Sequence, residues 1–355
     1  MVTRLAKLRQ KMEERGLPAI LITMPENRRY ISGFTGSSAY LFITDDDALL
    51  ATDFRYTEQA AAQAPGFEVV MHKSPATDTF KEVLRRFGVT RLGFEKDQVT
   101  YSDYETLREA LTGVELIGTS GLVEELRMVK DANELDKIRR AVAIGDSAFK
   151  HMLQFLRPGL TEKEVAFELE FFMRKTGADG LAFSVIAASG PNSALPHAVP
   201  TDRVLQPGDF VKIDYGCKID GYCSDMTRTV VLGQATEKQR EVYDIVLRAQ
   251  LAAVAAVRPG MTGADLDAVA RQIITEAGYG DNFGHGLGHG VGLQVHEGPG
   301  AGSRSTTVFE PGMVITIEPG IYLPGWGGVR IEDMAFITAD GAEIPTASTK
   351  ELLII

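Results

Sequence analysis

Residues 284–292 read Gly284-His285-Gly286-Leu287-Gly288-His289-Gly290-Val291-Gly292, with glycine at every second position. As a strand, this stretch has one face without side chains and another carrying two histidines. As a helix it would hold five interior glycines, at a cost of about 1 kcal/mol each relative to alanine, so the spacing predicts a strand. Glycine inside a strand marks the close approach of another backbone or of a ligand. A third histidine follows in Val295-His296-Glu297, so half of the chain's six histidines lie between 285 and 296. The expectation is a metal site in which the rest of the chain brings carboxylates to this strand.

Two acidic hairpins are the candidates. In the first, Asp209-Phe210-Val211-Lys212-Ile213-Asp214-Tyr215-Gly216-Cys217 reads as a strand, Asp220-Gly221 as the turn, and 222–232 as the return. That register sets Asp214 opposite Thr227 and places Asp225 on the same face, diagonal to Asp214. Two carboxylates among apolar neighbours repel and are desolvated unless a cation lies between them. A solvated sheet face is the bland alternative, although aspartate is disfavoured within strands. In the second hairpin, Met313-Val314-Ile315-Thr316-Ile317-Glu318 leads to Pro319-Gly320, read as the turn, and 328–337 returns. Arg330 and Glu332 share one face, where a plain ion pair between them is the simpler reading, and Asp333 lies on the other. Four carboxylates with one histidine suit two hard or borderline divalent ions.

The hairpins belong to a chain that repeats itself. Leu156-Arg157-Pro158-Gly159-Leu160-Thr161 recurs as Val257-Arg258-Pro259-Gly260-Met261-Thr262. Each copy ends one helix and begins another, at 162–176 and 264–277, with threonine as cap and Gly177 or Gly278 as terminator. A helix is predicted over 133–155, opened by Asp131 and Glu134 in the manner of a capping box. Two halves of helix, helix and sheet follow, with the site expected where the two sheets meet. Residues 1–125 are different. Short apolar runs at 19–23, 39–43, 48–51, 67–71 and 91–94 alternate with helical stretches at 55–63, 79–87 and 102–111, which is an α/β pattern. No glycine-rich phosphate loop follows any of these strands, which removes the dinucleotide and P-loop readings. The domains are therefore expected at 1–125 and 132–355, joined by a linker at 126–131.

Composition narrows the class. A net charge of −11 argues against a nucleic-acid partner. No apolar run is long enough for a membrane span, and the first residues lack the apolar core of a signal peptide. The two cysteines, Cys217 and Cys223, are read as buried small hydrophobes rather than a disulfide framework. A cytoplasmic location is expected.

The ordered set Asp214, Asp225, His289, Glu318, Glu332 resembles the five ligands of the pita-bread metallopeptidases, the family of methionine aminopeptidase, aminopeptidase P, prolidase and creatinase. The motifs that carry the resemblance are Ile213-Asp214-Tyr215-Gly216, Ser224-Asp225-Met226-Thr227-Arg228-Thr229, the 284–292 stretch, Val295-His296-Glu297, Ile317-Glu318-Pro319-Gly320 and Val329-Arg330-Ile331-Glu332-Asp333. The likeness covers nearly the whole chain, and the additional N-terminal domain points to the aminopeptidase P and prolidase branch. It implies an α+β fold: a duplicated C-terminal pita-bread domain with pseudo-two-fold symmetry, preceded by a smaller creatinase-like α/β domain. It implies hydrolysis of the bond between an N-terminal residue and proline, in Xaa-Pro dipeptides or, alternatively, in longer peptides with proline second. It implies two divalent ions, Mn²⁺ foremost, with Co²⁺, Zn²⁺ or Fe²⁺ also compatible. Asp214 would hold one ion, His289 and Glu318 the other, and Asp225 and Glu332 would bridge. Glu318 is also implied as the proton shuttle between attacking water and leaving nitrogen. His197, His285 and His296 match the catalytic, substrate-holding histidines, and Arg330 is implied to orient the carboxylates that hold metal. Asp333 and Glu297 fall outside the pattern. A homodimer is implied.

One feature departs from relatives restricted to dipeptides, where a cation holds the substrate's free carboxylate. Here Gly300 follows Glu297-Gly298-Pro299, and Arg304 arrives later, so Arg304 or a base from the N-terminal domain is the candidate for that task. Creatinase-like hydrolysis and a non-catalytic peptide-binding role on this fold both fit less well, because all five ligand positions are filled.

Overall fold

The computed structural model describes residues 3–355. Two compact units make up the chain, one ending at Arg127 and the other comprising Met128–Ile355. The expected linker at 126–131 is not a bare tether. Glu124–Met128 is helical, and Asp131 already caps the helix Ala132–Phe155.

The first unit is a six-stranded sheet in the order Glu68–Met71, Ala48–Thr52, Ala39–Thr44, Ala19–Ile22, Arg91–Glu95, Glu115–Thr119. Ala39–Thr44 runs antiparallel to both neighbours, while the outer pairs are parallel. Parallel neighbours need a crossover, which Thr57–Gln63 and Tyr101–Ala110 supply. Leu21, Phe42, Leu49, Phe80, Leu84 and Leu92 form its core. Several elements are absent from the sequence pattern, among them the helix Arg4–Glu14. The helix Pro25–Ser32 hides because it buries polar side chains: Asn27 Nδ2 donates to Glu95 Oε1 at 2.7 Å, and the Arg28 guanidinium donates to the Ala39 carbonyl. The strand Glu115–Thr119 hides because it lies at the sheet edge, with only its last residue buried.

The second unit is a duplication in detail. In the first half, Ala132–Phe155 and Glu162–Lys175 precede a sheet of Ile186–Ser189, Phe210–Tyr215 and Met226–Val231. In the second half, Glu237–Ala256 and Gly263–Glu276 precede a sheet built on Gly288–Gly290, Val314–Ile317 and Asp333–Ile337. Thr161 and Thr262 both form complete capping boxes. The same backbone pairings recur at the joints. Gly159 donates to Leu205 O and Leu205 to Leu160 O, and likewise Gly260 donates to Phe309 O and Phe309 to Met261 O. Each half buries its own apolar cluster, around Val165, Leu169 and Ile213 in one and Leu266, Ile274 and Ile315 in the other. The architecture is the α+β arrangement expected from the repeat.

Two local expectations need correction. The 284–292 stretch is strand only at Gly288–Gly290: it has one paired position with Val314–Ile317, at Gly290 and Ile315, beside single hydrogen bonds such as Val291 N–H to Val314 O, and its pairing with Glu297–Ala301 shifts register between Gly288 and Gly290. Pro319-Gly320 is not the reversal of the second hairpin. The chain continues as Gly320–Leu323, turns, and returns as Gly327–Arg330. The register pairs Ile317 with Asp333 and Gly320 with Arg330, so Glu318 and Glu332 occupy facing positions between them.

Candidate active site

The bare glycine face lies against neighbouring backbone. A Cβ on Gly288 would sit 2.0 Å from the Thr316 carbonyl oxygen, and one on Gly290 would sit 2.2 Å from that of Gly298. This contact fixes His289. Its backbone N–H donates to Thr316 Oγ1 at 3.0 Å, and its ring Nδ1 lies 3.1 Å from Gly290 O. A carbonyl can only accept, so Nδ1 carries the hydrogen and Nε2 presents a lone pair. Nε2 points at carboxylates, 3.6 Å from Asp225 Oδ2 and 3.3 Å from Glu318 Oε1.

The carboxylates arrive from both halves. Asp214 pairs with Thr227 across the first hairpin, which leaves Asp225 on the same face as Asp214. Thr227 Oγ1 donates to Glu332 Oε2 at 2.7 Å, tying the first hairpin to the second. One ligand atom each from Asp225, His289 and Glu332 lies within 4.8 Å of the others. Burial pushes the Asp225 carboxyl well above its ordinary range, and Glu332 and Asp214 push it further. Burial also raises Glu332, reinforced by Glu318 and Asp214. Glu318 is buried too, but His289, Arg330 and His285 beside it together outweigh burial and hold it down to about 2. Burial lowers His289, and Glu318, Gly290 and Asp214 together raise it above its ordinary value.

Whether this cluster fits metal ions is decided by its unpaired atoms. Asp214 Oδ1 and Glu332 Oε1 are buried with no hydrogen-bond donor, a costly arrangement unless a cation supplies the missing charge. The His289 lone pair faces carboxylate oxygen, which is repulsive without a proton or a cation between them. Asp214, Asp225, Glu318, Glu332 and His289 thus fit a pair of divalent ions, and the four carboxylates balance their charge. Acids outside the set are satisfied by protein. Asp333 receives Arg228 at 2.8 Å, Lys350 at 2.6 Å and Gln250 at 2.9 Å, and Glu297 pairs with buried Lys130 at 2.9 Å.

Arg330 is buried beside this cluster. Its Nη2 donates to Asp214 Oδ2, Nε donates to Thr227 Oγ1 at 3.0 Å, and Nη1 donates to Tyr322 Oη at 3.0 Å and Pro196 O at 3.1 Å. Glu332 takes its hydrogen bond from Thr227 instead, so the simple Arg330–Glu332 pair is not formed.

A cavity of about 450 Å³ opens over the cluster, walled by Phe183, Ile186, Ala198 and Val199 and by all three remaining histidines of the pattern. His197 and His296 have no hydrogen-bond partner among the described residues, so their ring nitrogens are available to a ligand. His285 differs. Its Nδ1 lies 2.8 Å from Gly286 O and its Nε2 lies 2.8 Å from Tyr322 Oη, so both nitrogens are engaged. Burial also lowers its pKa. In this geometry it shapes the cavity with its ring and has no N–H left for a carbonyl. Arg304 is exposed and does not line the cavity; it sits on a turn just beyond the Glu297–Ala301 strand.

Residues the pattern reading missed are Thr227 and Thr316, which hold Glu332 and Glu318 by hydroxyl donation at 2.7 and 3.0 Å, together with Tyr322 and Lys212. Thr227 was legible as the partner of Asp214. Tyr322 was not, because it lies in the strand Gly320–Leu323, beyond the turn that Pro319-Gly320 suggests. Lys212 carried one signal, a lysine inside an otherwise apolar strand. Burial pushes it down to about 6, aided by Arg330 and opposed by Asp214.

Residues 136–339 match the model of metallopeptidase family M24, and residues 4–129 match the Creatinase/Prolidase N-terminal domain. The chain belongs to metallopeptidase family M24. This M24 peptidase is 41% identical over 354 residues to the Xaa-Pro dipeptidase of Pyrococcus furiosus, covering 99% of this chain and 100% of that one. Among solved structures it resembles the Xaa-Pro dipeptidase from Bacillus anthracis, at 48% identity and a TM-score of 0.97 over 99% of both chains. It also resembles the X-Pro aminopeptidase from Thermotoga maritima, at 40% identity and a TM-score of 0.90, over 98% of this chain and 100% of that one. The M24 peptidase is a metal-dependent exopeptidase with the pita-bread fold and a creatinase-like N-terminal domain. No helix among the described residues is long and apolar enough to cross a membrane.

Proposed function

We propose that this M24 peptidase is a Xaa-Pro dipeptidase, hydrolysing the bond between an N-terminal residue and proline. The observation that carries the chemistry is the buried cluster of four carboxylates and one outward-facing imidazole lone pair, drawn from both halves of the duplication. Asp214 would hold one ion, His289 and Glu318 the other, with Asp225 and Glu332 between them. Such ions, Mn²⁺ foremost, supply Lewis acidity toward the scissile carbonyl and toward water. The protein's own groups do the rest. Glu318, ionised at neutral pH, takes the proton of the attacking water and passes it to the prolyl nitrogen. His197 and His296 offer ring nitrogens to the substrate's polar groups, while His285 walls the site. Arg330 keeps Asp214 and Thr227 in place. The apolar wall of Phe183, Ile186 and Val199 suits a pyrrolidine ring.

A second reading, an Xaa-Pro aminopeptidase, gains from one observation. Among the described residues the only lysine or arginine lining the cavity is Arg330, and it is fully engaged. A free substrate carboxylate therefore finds no cation within this chain's own cavity. Proline release from an Xaa-Pro dipeptide and from a longer Xaa-Pro peptide, each with and without Mn²⁺, separates the two. Silence on both substrates would overturn the metallopeptidase assignment to proline bonds. We further propose a cytoplasmic homodimer, checked by size-exclusion chromatography with light scattering.

A further inference from the structure

The loop 190–201, which carries His197, is gripped by buried charged side chains. Glu162 clamps both ends, accepting from Ser189 N at 2.7 Å and Oγ at 2.9 Å, and from Thr201 N at 3.0 Å and Oγ1 at 2.6 Å. Ser193 Oγ accepts from Gly328 N at 2.9 Å. The middle of the loop depends on Lys212. Its Nζ donates to Leu195 O at 2.6 Å and to Pro196 O at 3.4 Å, and Arg330 Nη1 reaches the same Pro196 carbonyl at 3.1 Å. Lys212 is fully buried, with Nζ 5.1 Å from the centre of the Tyr322 ring. Among the described residues it has no carboxylate within ion-pair distance. A buried amine without a counter-charge is costly, and an apolar side chain would fill this sheet position without that cost. The two carbonyls are its hydrogen-bond partners, and they immediately precede His197.

We propose that Lys212 is a positioning residue for His197: by holding the Leu195 and Pro196 carbonyls it sets the height of the loop and aims the imidazole into the cavity. The inference rests on the reading of His197 as a substrate-holding group. Displacing a substrate contact by about 1 Å can cost on the order of a hundredfold in rate, so Lys212→Met is expected to lower kcat/KM about 10- to 100-fold.

A double-mutant cycle tests this in the full-length, metal-loaded protein with an Xaa-Pro dipeptide. If Lys212 acts through His197, Lys212→Met reproduces in weaker form the KM-against-kcat split of His197→Ala. In the His197→Ala background its own effect shrinks to less than about threefold, the signature of residues acting as a unit. Calorimetric metal binding stays at wild-type stoichiometry. An equal loss in both backgrounds, or a loss of metal binding, overturns the proposal, the second because Lys212 shares its strand with Asp214. Unchanged kcat/KM in His197→Ala alone instead sinks the reading of His197. Should Lys212→Met fail to fold, the cycle is run with Lys212→Gln, which keeps an amide donor one bond short of the carbonyls.

Discussion

Replacing Glu332 by glutamine is expected to change stability in opposite directions with and without metal. Glu332 is buried, its Oε1 has no donor, and a carboxylate oxygen of Asp225 lies within 4.8 Å. At an effective dielectric of about 20, two unit charges that far apart repel by about 3.5 kcal/mol. The chain can escape by protonating Glu332, whose ordinary pKa is 4.5, at a cost near neutrality of about 3.4 kcal/mol. The strain relieved by glutamine in chelator is therefore bounded near 3 kcal/mol. The amide oxygen can still accept from Thr227, so little else is lost. For a unit of this size that corresponds to a rise in Tm of roughly 6–12 °C. The sign with pH follows from the raised folded pKa. The stabilising contribution is complete below about 4.5 and is lost as pH rises through the folded value. Chelated wild type should therefore weaken between pH 5 and 8, and the variant should weaken less. With Mn²⁺ in excess the order reverses. Binding at a thousandfold over Kd stabilises wild type by about 4 kcal/mol, and the variant is expected to lose more of that than the roughly 3 kcal/mol it gains in chelator. Scanning calorimetry in chelator and in Mn²⁺ across this pH range measures both. A Tm for Glu332→Gln below wild type in chelator, or equal shifts in the two buffers, would refute the electrostatic account.

Other outcomes follow from the same geometry. Asp225→Asn should abolish turnover and reduce the metal bound per chain, measured by elemental analysis; near-wild-type activity at limiting metal would contradict a bridging role. Gly288→Ala drives a Cβ to 2.0 Å from backbone oxygen, and overpacking against backbone is expected to cost about 3 kcal/mol or more in denaturant unfolding. Arg304→Ala should leave KM for an Xaa-Pro dipeptide within about twofold, as for an ordinary exposed residue; a tenfold rise would show that Arg304 reaches the substrate after all.

Much of this protein is determined by short-range pattern. The repeated Pro-Gly-x-Thr joint specifies two helix pairs, because Pro and Gly stop a helix and a threonine with an acid three residues on starts one. The Asp220-Gly221 turn sets the first hairpin's register, and with it the shared face of Asp214 and Asp225, because side chains alternate with a period of two. Alternating glycines announce close backbone contact before any partner is known. What the sequence alone could not decide depends on groups distant in the chain. The second hairpin's true turn lies beyond a strand that reads as loop, so the facing of Glu318 and Glu332 and the presence of Tyr322 were hidden. The hydrogen bond that occupies Nε2 of His285 comes from Tyr322, while His197 and His296 have no hydrogen-bond partner among the described residues. The hydrogen bonds that suspend the His197 loop come from Glu162, Lys212 and Arg330. Local periodicity specifies which face a side chain takes; which of its atoms are already spoken for is set only when distant segments pack together, within each half as for Tyr322 on His285 and Lys212 on Leu195, and between the halves as for Arg330 on Pro196.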